Sequence, residues 1–278
     1  MTTRGTDLLL TAIAPVIWGS TYIVTTAFLP DFQPLTVALL RALPAGLLLL
    51  LIVRQLPARA WWGRIAILGA LNFAIFWAML FISAYRLPGG VAATIGAVQP
   101  LIVVFLSAAL LGGGVRRVSV IAALLGLAGV ALLVLTPQAA LDPIGIAAGL
   151  AGAVSMAFGT VLTRKWQPPV SLLTFTAWQL TAGGILLLPV ALWAEPRIPS
   201  PANLLALGWL GLIGAALTCY LMFRGVTRIG PATVSLLGFL SPATAVLLGW
   251  VFLNQSLTPL QIAGAALVIG SIWIGQRQ

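Results

Sequence analysis

Charge is what this chain has least of. Of its 278 residues 6% are charged and 61% hydrophobic, whereas soluble proteins carry about 25% charged residues. Fourteen basic and four acidic side chains could not cover the surface of a water-soluble fold of that size, so its solvent is largely lipid. A conventional cytosolic enzyme is excluded. Histidine is absent, and the acids are Asp7, Asp31, Asp142 and Glu195, so no cluster of His, Cys and carboxylate can be assembled around a metal. The single Cys219 excludes an internal disulfide and reads as a small apolar residue in a helix. Lys165, the only lysine, is not preceded by the glycines of a phosphate-cradling loop, and no cofactor is expected.

The net charge of +10 does not point to nucleic acid. Basic residues come one to three at a time between long apolar runs, which is the pattern of membrane topology and not of a phosphate-binding face. The expected partners are a small-molecule substrate and the lipid bilayer, and a monomer suffices for both.

What the chain has in abundance is apolar runs of membrane length. They lie near residues 7–27, 34–53, 63–84, 90–111, 117–135, 143–163, 170–193, 204–223, 231–253 and 259–275. At about 20 residues per crossing these predict ten transmembrane α-helices in an all-α integral membrane protein. Asp31, Pro34, Pro57, Pro88, Pro137, Pro143, Pro196 and Pro259 are among the residues that punctuate the ends. With a cytoplasmic N-terminus, eleven of the fourteen basic residues fall on the cytoplasmic side, Arg86 and Arg197 fall outside, and Arg41 lies within the second span. That bias predicts both termini in the cytoplasm and an even number of helices.

The second half echoes the first at an offset of about 140 residues. Trp18-Gly19-Ser20 aligns with Phe158-Gly159-Thr160, Ala45-Gly46 with Gly183-Gly184, Arg86 with Arg228, Gly96 with Gly238, and Gln99-Pro100 with Ser241-Pro242. Residues 1–137 and 138–278 therefore read as two five-helix repeats. Five is odd, so the second copy is inverted relative to the first, which is the architecture of alternating-access carriers with a mid-membrane site.

The stretch Pro15-Val16-Ile17-Trp18-Gly19-Ser20, Arg41 in the second span, Gly90-Val91-Ala92-Ala93 and Gln99-Pro100 resemble the drug/metabolite transporter superfamily and, more narrowly, its ten-helix EamA-type exporters. The resemblance covers the whole chain and implies an inner-membrane exporter of small metabolites. Within that family the chain is similar to exporters of aromatic and other neutral amino acids. Phe158 in place of the Trp, and Gln179 near the place of Arg41, depart from the pattern in the second copy.

Polar and aromatic side chains inside the spans are the candidates for a substrate cavity. In the third span Asn72, Phe76 and Leu80 run beside Phe73, Trp77 and Phe81 at helical spacing, an aromatic wall with one amide. The same stripe is compatible with a lipid-facing or helix-facing surface. Trp18, Tyr22, Gln99, Trp178, Gln179 and Tyr220 complete the expected lining. Arg41 reads either as a gate or carboxylate contact, or as a side chain snorkelling outward and bonded to carbonyls, with Asp31 as its nearest counterion in sequence. Pro15, Pro44, Pro100, Pro189 and Pro242 lie inside predicted spans, and the matched Pro100 and Pro242 are expected to be hinges or kinks. The absence of a mid-span Asp, Glu or His disfavours carboxylate-based proton coupling. A lipid flippase, a channel and an integral membrane enzyme are the alternatives, the last lacking an acid–base pair.

Overall fold

A computed structural model of the chain describes residues 3–30, 32–87, 89–134, 142–195, 199–252 and 258–276. Asp31, Pro88, Pro137, Pro196, Arg197 and Arg277 lie outside the described residues. Among those described, ten helices are long and apolar enough to cross a membrane, and none of these residues forms a strand. The spans are Arg4–Thr25, Pro34–Val53, Arg59–Ser83, Ala92–Leu111, Arg117–Val134, Pro143–Lys165, Leu172–Ala194, Pro201–Arg228, Pro231–Phe252 and Pro259–Gln276, numbered first to tenth below.

Hydrocarbon offers the backbone no hydrogen bonds, so each span must close its own. Departures from regular helix are therefore informative. The first span stops at Gly19 and resumes as Thr21–Phe28. The fourth is split into Gly89–Gly96 and Gln99–Leu111, and the ninth into Pro231–Leu237 and Leu240–Phe252. Pro100 and Pro242 each fall in the first turn of the resumed segment, where a missing N–H costs least. The third and eighth spans are continuous but widen into π-helix at Ala70–Ala74 and Trp209–Leu217. Pro15, Pro44 and Pro189, by contrast, sit within helices that run on unbroken.

Helix ends follow local chemistry. Asp142 accepts a hydrogen bond from the Gly145 N–H at 2.7 Å and caps the sixth span, and Ser171 does the same for Thr174 at 3.1 Å and starts the seventh. Small residues then set how closely the spans approach. The second packs along the seventh and the fifth along the tenth. A Cβ added at Gly46 would stand 2.5 Å from the Thr181 nitrogen, and one at Gly264 would stand 2.7 Å from the Gly129 carbonyl oxygen. Only glycine permits such backbone contact between membrane helices. Large apolar side chains such as Leu51, Trp193 and Leu205 point outward, toward where lipid would lie.

Candidate functional site

A cavity of about 660 Å³ lies inside the bundle, walled by the first, third, fourth, sixth, eighth and ninth spans, with Arg41 entering from the second. The third span supplies its aromatic wall. Asn72, Phe73, Phe76, Trp77, Leu80 and Phe81 all line it, so the stripe faces a cavity and not lipid. Phe73 meets Trp77 edge-on at 5.2 Å between centroids and Phe223 of the eighth span at 6.1 Å. Asn72 and Phe73 lie buried within the π segment.

Arg41 is 3% exposed and turns into the bundle, so it does not snorkel outward, although it bonds to a carbonyl as that reading expects. Its Nη2 donates to the Gly214 carbonyl at 2.6 Å, and its guanidinium carbon lies 4.7 Å from the centroid of the Trp77 ring. Gly214 belongs to the π segment of the eighth span, and its carbonyl also accepts from Trp18 Nε1 at 3.1 Å. Trp18 donates as well to Thr218 Oγ1 at 2.9 Å. Arg41 thus holds together the second, third and eighth spans at the cavity floor.

Four buried side-chain atoms on lining residues have no hydrogen-bond partner: Thr25 Oγ1, Arg41 Nε, Asn72 Oδ1 and Ser83 Oγ. Buried polar atoms are normally satisfied; here Asn72 Oδ1 lies against Gly159 and Ser83 Oγ against Gly149 of the sixth span. Gln99, Pro100, Ser241 and Pro242 line the cavity at the two helix breaks, and Cys219 lies buried in the same wall.

Three expected lining residues are elsewhere. Gln179 is fully buried behind Asn72, accepting from Asn72 Nδ2 at 2.8 Å, while Asn72 also donates to Thr163 Oγ1 at 3.0 Å. Trp178, its neighbour, points the other way into a cluster with Ile65, Leu68 and Phe175 and donates to the Gln55 carbonyl at 2.6 Å. Adjacent helical residues diverge by about 100°, and here that offset sends the two side chains to different neighbouring spans. Tyr220 packs against the cluster of Ala14, Leu221, Met222 and Val226. Tyr22 lies on the segment Thr21–Phe28, and its side chain falls outside the described residues. Met222, Phe223, Ser83, Tyr85 and Phe239 line the cavity without having been expected to. Phe223 and Phe239 carry no signal in sequence beyond being aromatic within a span.

The lining reaches from these mid-span groups to Leu29, Pro30 and Tyr85 at one end of the bundle. There the Tyr85 hydroxyl donates to the Phe32 carbonyl at 2.6 Å. Partial burial and the nearby Glu195 carboxylate raise its pKa above the ordinary phenol value, so it stays a donor. The opposite end is tied shut. Asp7 of the first span pairs with Arg224 at 2.5 Å and Arg228 at 3.6 Å on the eighth. Arg164 of the sixth span donates to the Thr227 carbonyl near the end of the eighth. Thr11 fills the space at Gly225, where a Cβ would come within 2.5 Å of it.

Ten membrane-length helices around a mid-span cavity that reaches one face and is sealed at the other have the build of a multi-pass membrane carrier. The EamA-like transporter family model matches this chain twice, over residues 6–135 and 143–274. The chain belongs to that family. It is 45% identical to protein PecM of Dickeya dadantii (strain 3937) over 267 residues, covering 95% of this chain and 90% of that one. It is 30% identical to the uncharacterized transporter YvbV of Bacillus subtilis (strain 168), covering 95% and 89%, and 28% identical to the uncharacterized inner membrane transporter YedA of Escherichia coli (strain K12), covering 92% and 86%. A crystal structure at 20% identity shares the fold, with a TM-score of 0.82 over 98% of both chains.

Proposed function

We propose that the chain is an alternating-access exporter of small metabolites across the inner membrane, with residues 1–137 and 138–278 as two inverted five-helix units. The observation that carries this reading is the cavity, which runs from an aromatic wall and the buried Arg41 and Asn72 at mid-span to Leu29, Pro30 and Tyr85 at one end of the bundle. The inverted repeat is supported by paired irregularities. The fourth and ninth spans break at matched positions, and the third and eighth both widen to π-helix. Arg41 bonds to the π segment of the other unit at Gly214, and Gln179, near the matching place, bonds to the π segment holding Asn72. On the basic-residue bias both termini are cytoplasmic, and the cavity then reaches the outer face.

The cargo class that fits best pairs an apolar or aromatic body with a small polar head. Aromatic and other neutral amino acids are such compounds. Trp18, Trp77 and Phe81 would contact the body, with Asn72, Gln99 and Arg41 at the head and Pro100 and Pro242 serving the movement. A chain without histidine and without a mid-span acid favours transport driven by the substrate gradient. Cells over-expressing the protein, loaded with aromatic and aliphatic amino acids, should release a subset faster than control cells. Unchanged release of every compound with the protein present in the membrane would count against the reading.

A further inference from the structure

We propose that the centre of the cavity is an anion site and that the carried species is a small organic carboxylate with an aromatic or apolar body, bound better without an amino group than with one. The proposal rests on the cavity being the substrate site of a carrier and narrows the chemistry of its cargo.

Three features converge on it. The first is Arg41, 3% exposed, whose Nε has no partner. Its neighbours are a neutral carbonyl at Gly214 and the face of Trp77, neither of which cancels its charge. The charged and titratable residues described around the cavity are Arg41, Tyr85 and Cys219, and no carboxylate is among them. Asp7 is tied to Arg224 and Arg228 at the sealed end, and Glu195 accepts from the Thr36 N–H at 2.9 Å near the outer end. A buried cation without an opposite charge is costly, and an arriving carboxylate relieves that cost.

The second feature is the pair of broken spans. The 13-residue helices Gln99–Leu111 and Leu240–Phe252 both begin at the cavity, where Gln99, Pro100, Ser241 and Pro242 line it. Helix N-termini carry roughly half a positive charge each, and the first of these has no side-chain cap. Between the segments, several of the carbonyls that could attract a cation are already engaged. Ala93 and Ile95 accept from the Ala97 and Val98 N–H groups, and Ser235 and Leu236 accept from those of Gly238 and Phe239. Each break thus sets the N-terminus of the resumed helix at the cavity, beside the C-terminal end of the preceding segment, and N-termini so placed favour anionic substrate groups.

The third feature is the aromatic wall on which Arg41 rests. Phe73, Phe76 and Phe81 give it an apolar surface beside Trp77, and the orphaned Asn72 Oδ1, Thr25 Oγ1 and Ser83 Oγ are neutral. An ammonium group would find weak acceptors and aromatic faces in a field set by Arg41 and two helix N-termini. The zwitterion loses there what its carboxylate gains.

Three probes with one phenylethyl body separate the charge states: 3-phenylpropionate, L-phenylalanine and phenethylamine. Each is titrated by calorimetry into the purified full-length protein in detergent. The expected order is 3-phenylpropionate tighter than L-phenylalanine by about tenfold or more, with phenethylamine weakest. Arg41→Gln should remove that advantage, and Arg41→Lys should keep part of it, as a point charge would. L-Phenylalanine binding as tightly as 3-phenylpropionate overturns the anion site while leaving the carrier reading intact, and so does an Arg41→Gln protein that is monodisperse and keeps the wild-type order. Saturable binding of none of the three to wild-type protein overturns the aromatic cavity reading and the anion site together. The wild-type series decides the matter even where a variant fails to fold.

Discussion

Gln179 and Asn72 should act as a structural clamp between spans, and a double-mutant cycle measures it. Asn72 and Gln179 are 1% and 0% exposed, and Asn72 Nδ2 donates to Gln179 Oε1 at 2.8 Å and to Thr163 Oγ1 at 3.0 Å. One side chain therefore ties the third, sixth and seventh spans together. Gln179→Ala removes one acceptor and leaves a buried donor short of a partner, a loss of about 1–3 kcal/mol. Polar pairs in a membrane couple more weakly, at about 0.6 kcal/mol on average and about 1.7 at most, because the unfolded chain in lipid finds other partners. The cycle of Asn72→Ala, Gln179→Ala and the double variant should thus give a coupling of about 0.6–1.7 kcal/mol by SDS-induced unfolding followed by circular dichroism. Because Gln179 does not line the cavity, Gln179→Ala should leave substrate affinity within about twofold of wild type. A coupling indistinguishable from zero would refute the clamp. So would a Gln179→Ala protein of normal stability whose affinity has collapsed.

Trp77→Leu removes the ring lying 4.7 Å from Arg41 as well as part of the aromatic wall, and should weaken cargo binding about 2- to 30-fold in calorimetric titration. Pro100→Ala and Pro242→Ala each restore an N–H in the first turn after a break, and turnover should fall in proteoliposomes at unchanged affinity; retained turnover in both would show that the breaks are static. Gly126→Ala would place a methyl 2.0 Å from the Phe239 ring at the ninth-span break and should lower stability by about 1–3 kcal/mol. Phe239→Leu in the same chain should recover part of that loss in thermal melts. Asp7→Asn weakens the tie to Arg224 and Arg228 at the sealed end, and should raise labelling of a cysteine introduced at Thr11 by a membrane-permeant thiol reagent.

The spans were legible because lipid imposes a single rule, length and uniform apolarity, and the rare charges mark where each run ends. The helical spacing of Asn72 and Phe73 through Phe81 was legible too, since the stripe lines the cavity together across the π segment. What sequence could not reveal is which face of a uniformly apolar helix turns inward. Trp178, Gln179 and Tyr220 were chosen for residue type, and each packs against a neighbouring span instead of the cavity. Phe223 and Phe239 were invisible for the converse reason. Proline had the same ambiguity: Pro44 and Pro189 ride inside intact helices, while Pro100 and Pro242 follow breaks, and the difference lies in the turns at Ala97–Val98 and Gly238–Phe239. A carbonyl partner for Arg41 was legible in kind, but not which one, because a backbone carbonyl at Gly214 leaves no side-chain signature.

Counterflow in proteoliposomes tests the carrier account most directly. Vesicles holding purified wild-type protein are loaded with unlabelled 3-phenylpropionate and diluted into a trace of the labelled compound. Alternating access through the cavity that holds Arg41 and Trp77 predicts transient accumulation of label above its equilibrium level, saturating with external concentration and lost in Arg41→Gln. Flux that rises linearly with concentration and shows no overshoot would contradict it, as would uptake equal to that of protein-free vesicles for both 3-phenylpropionate and L-phenylalanine.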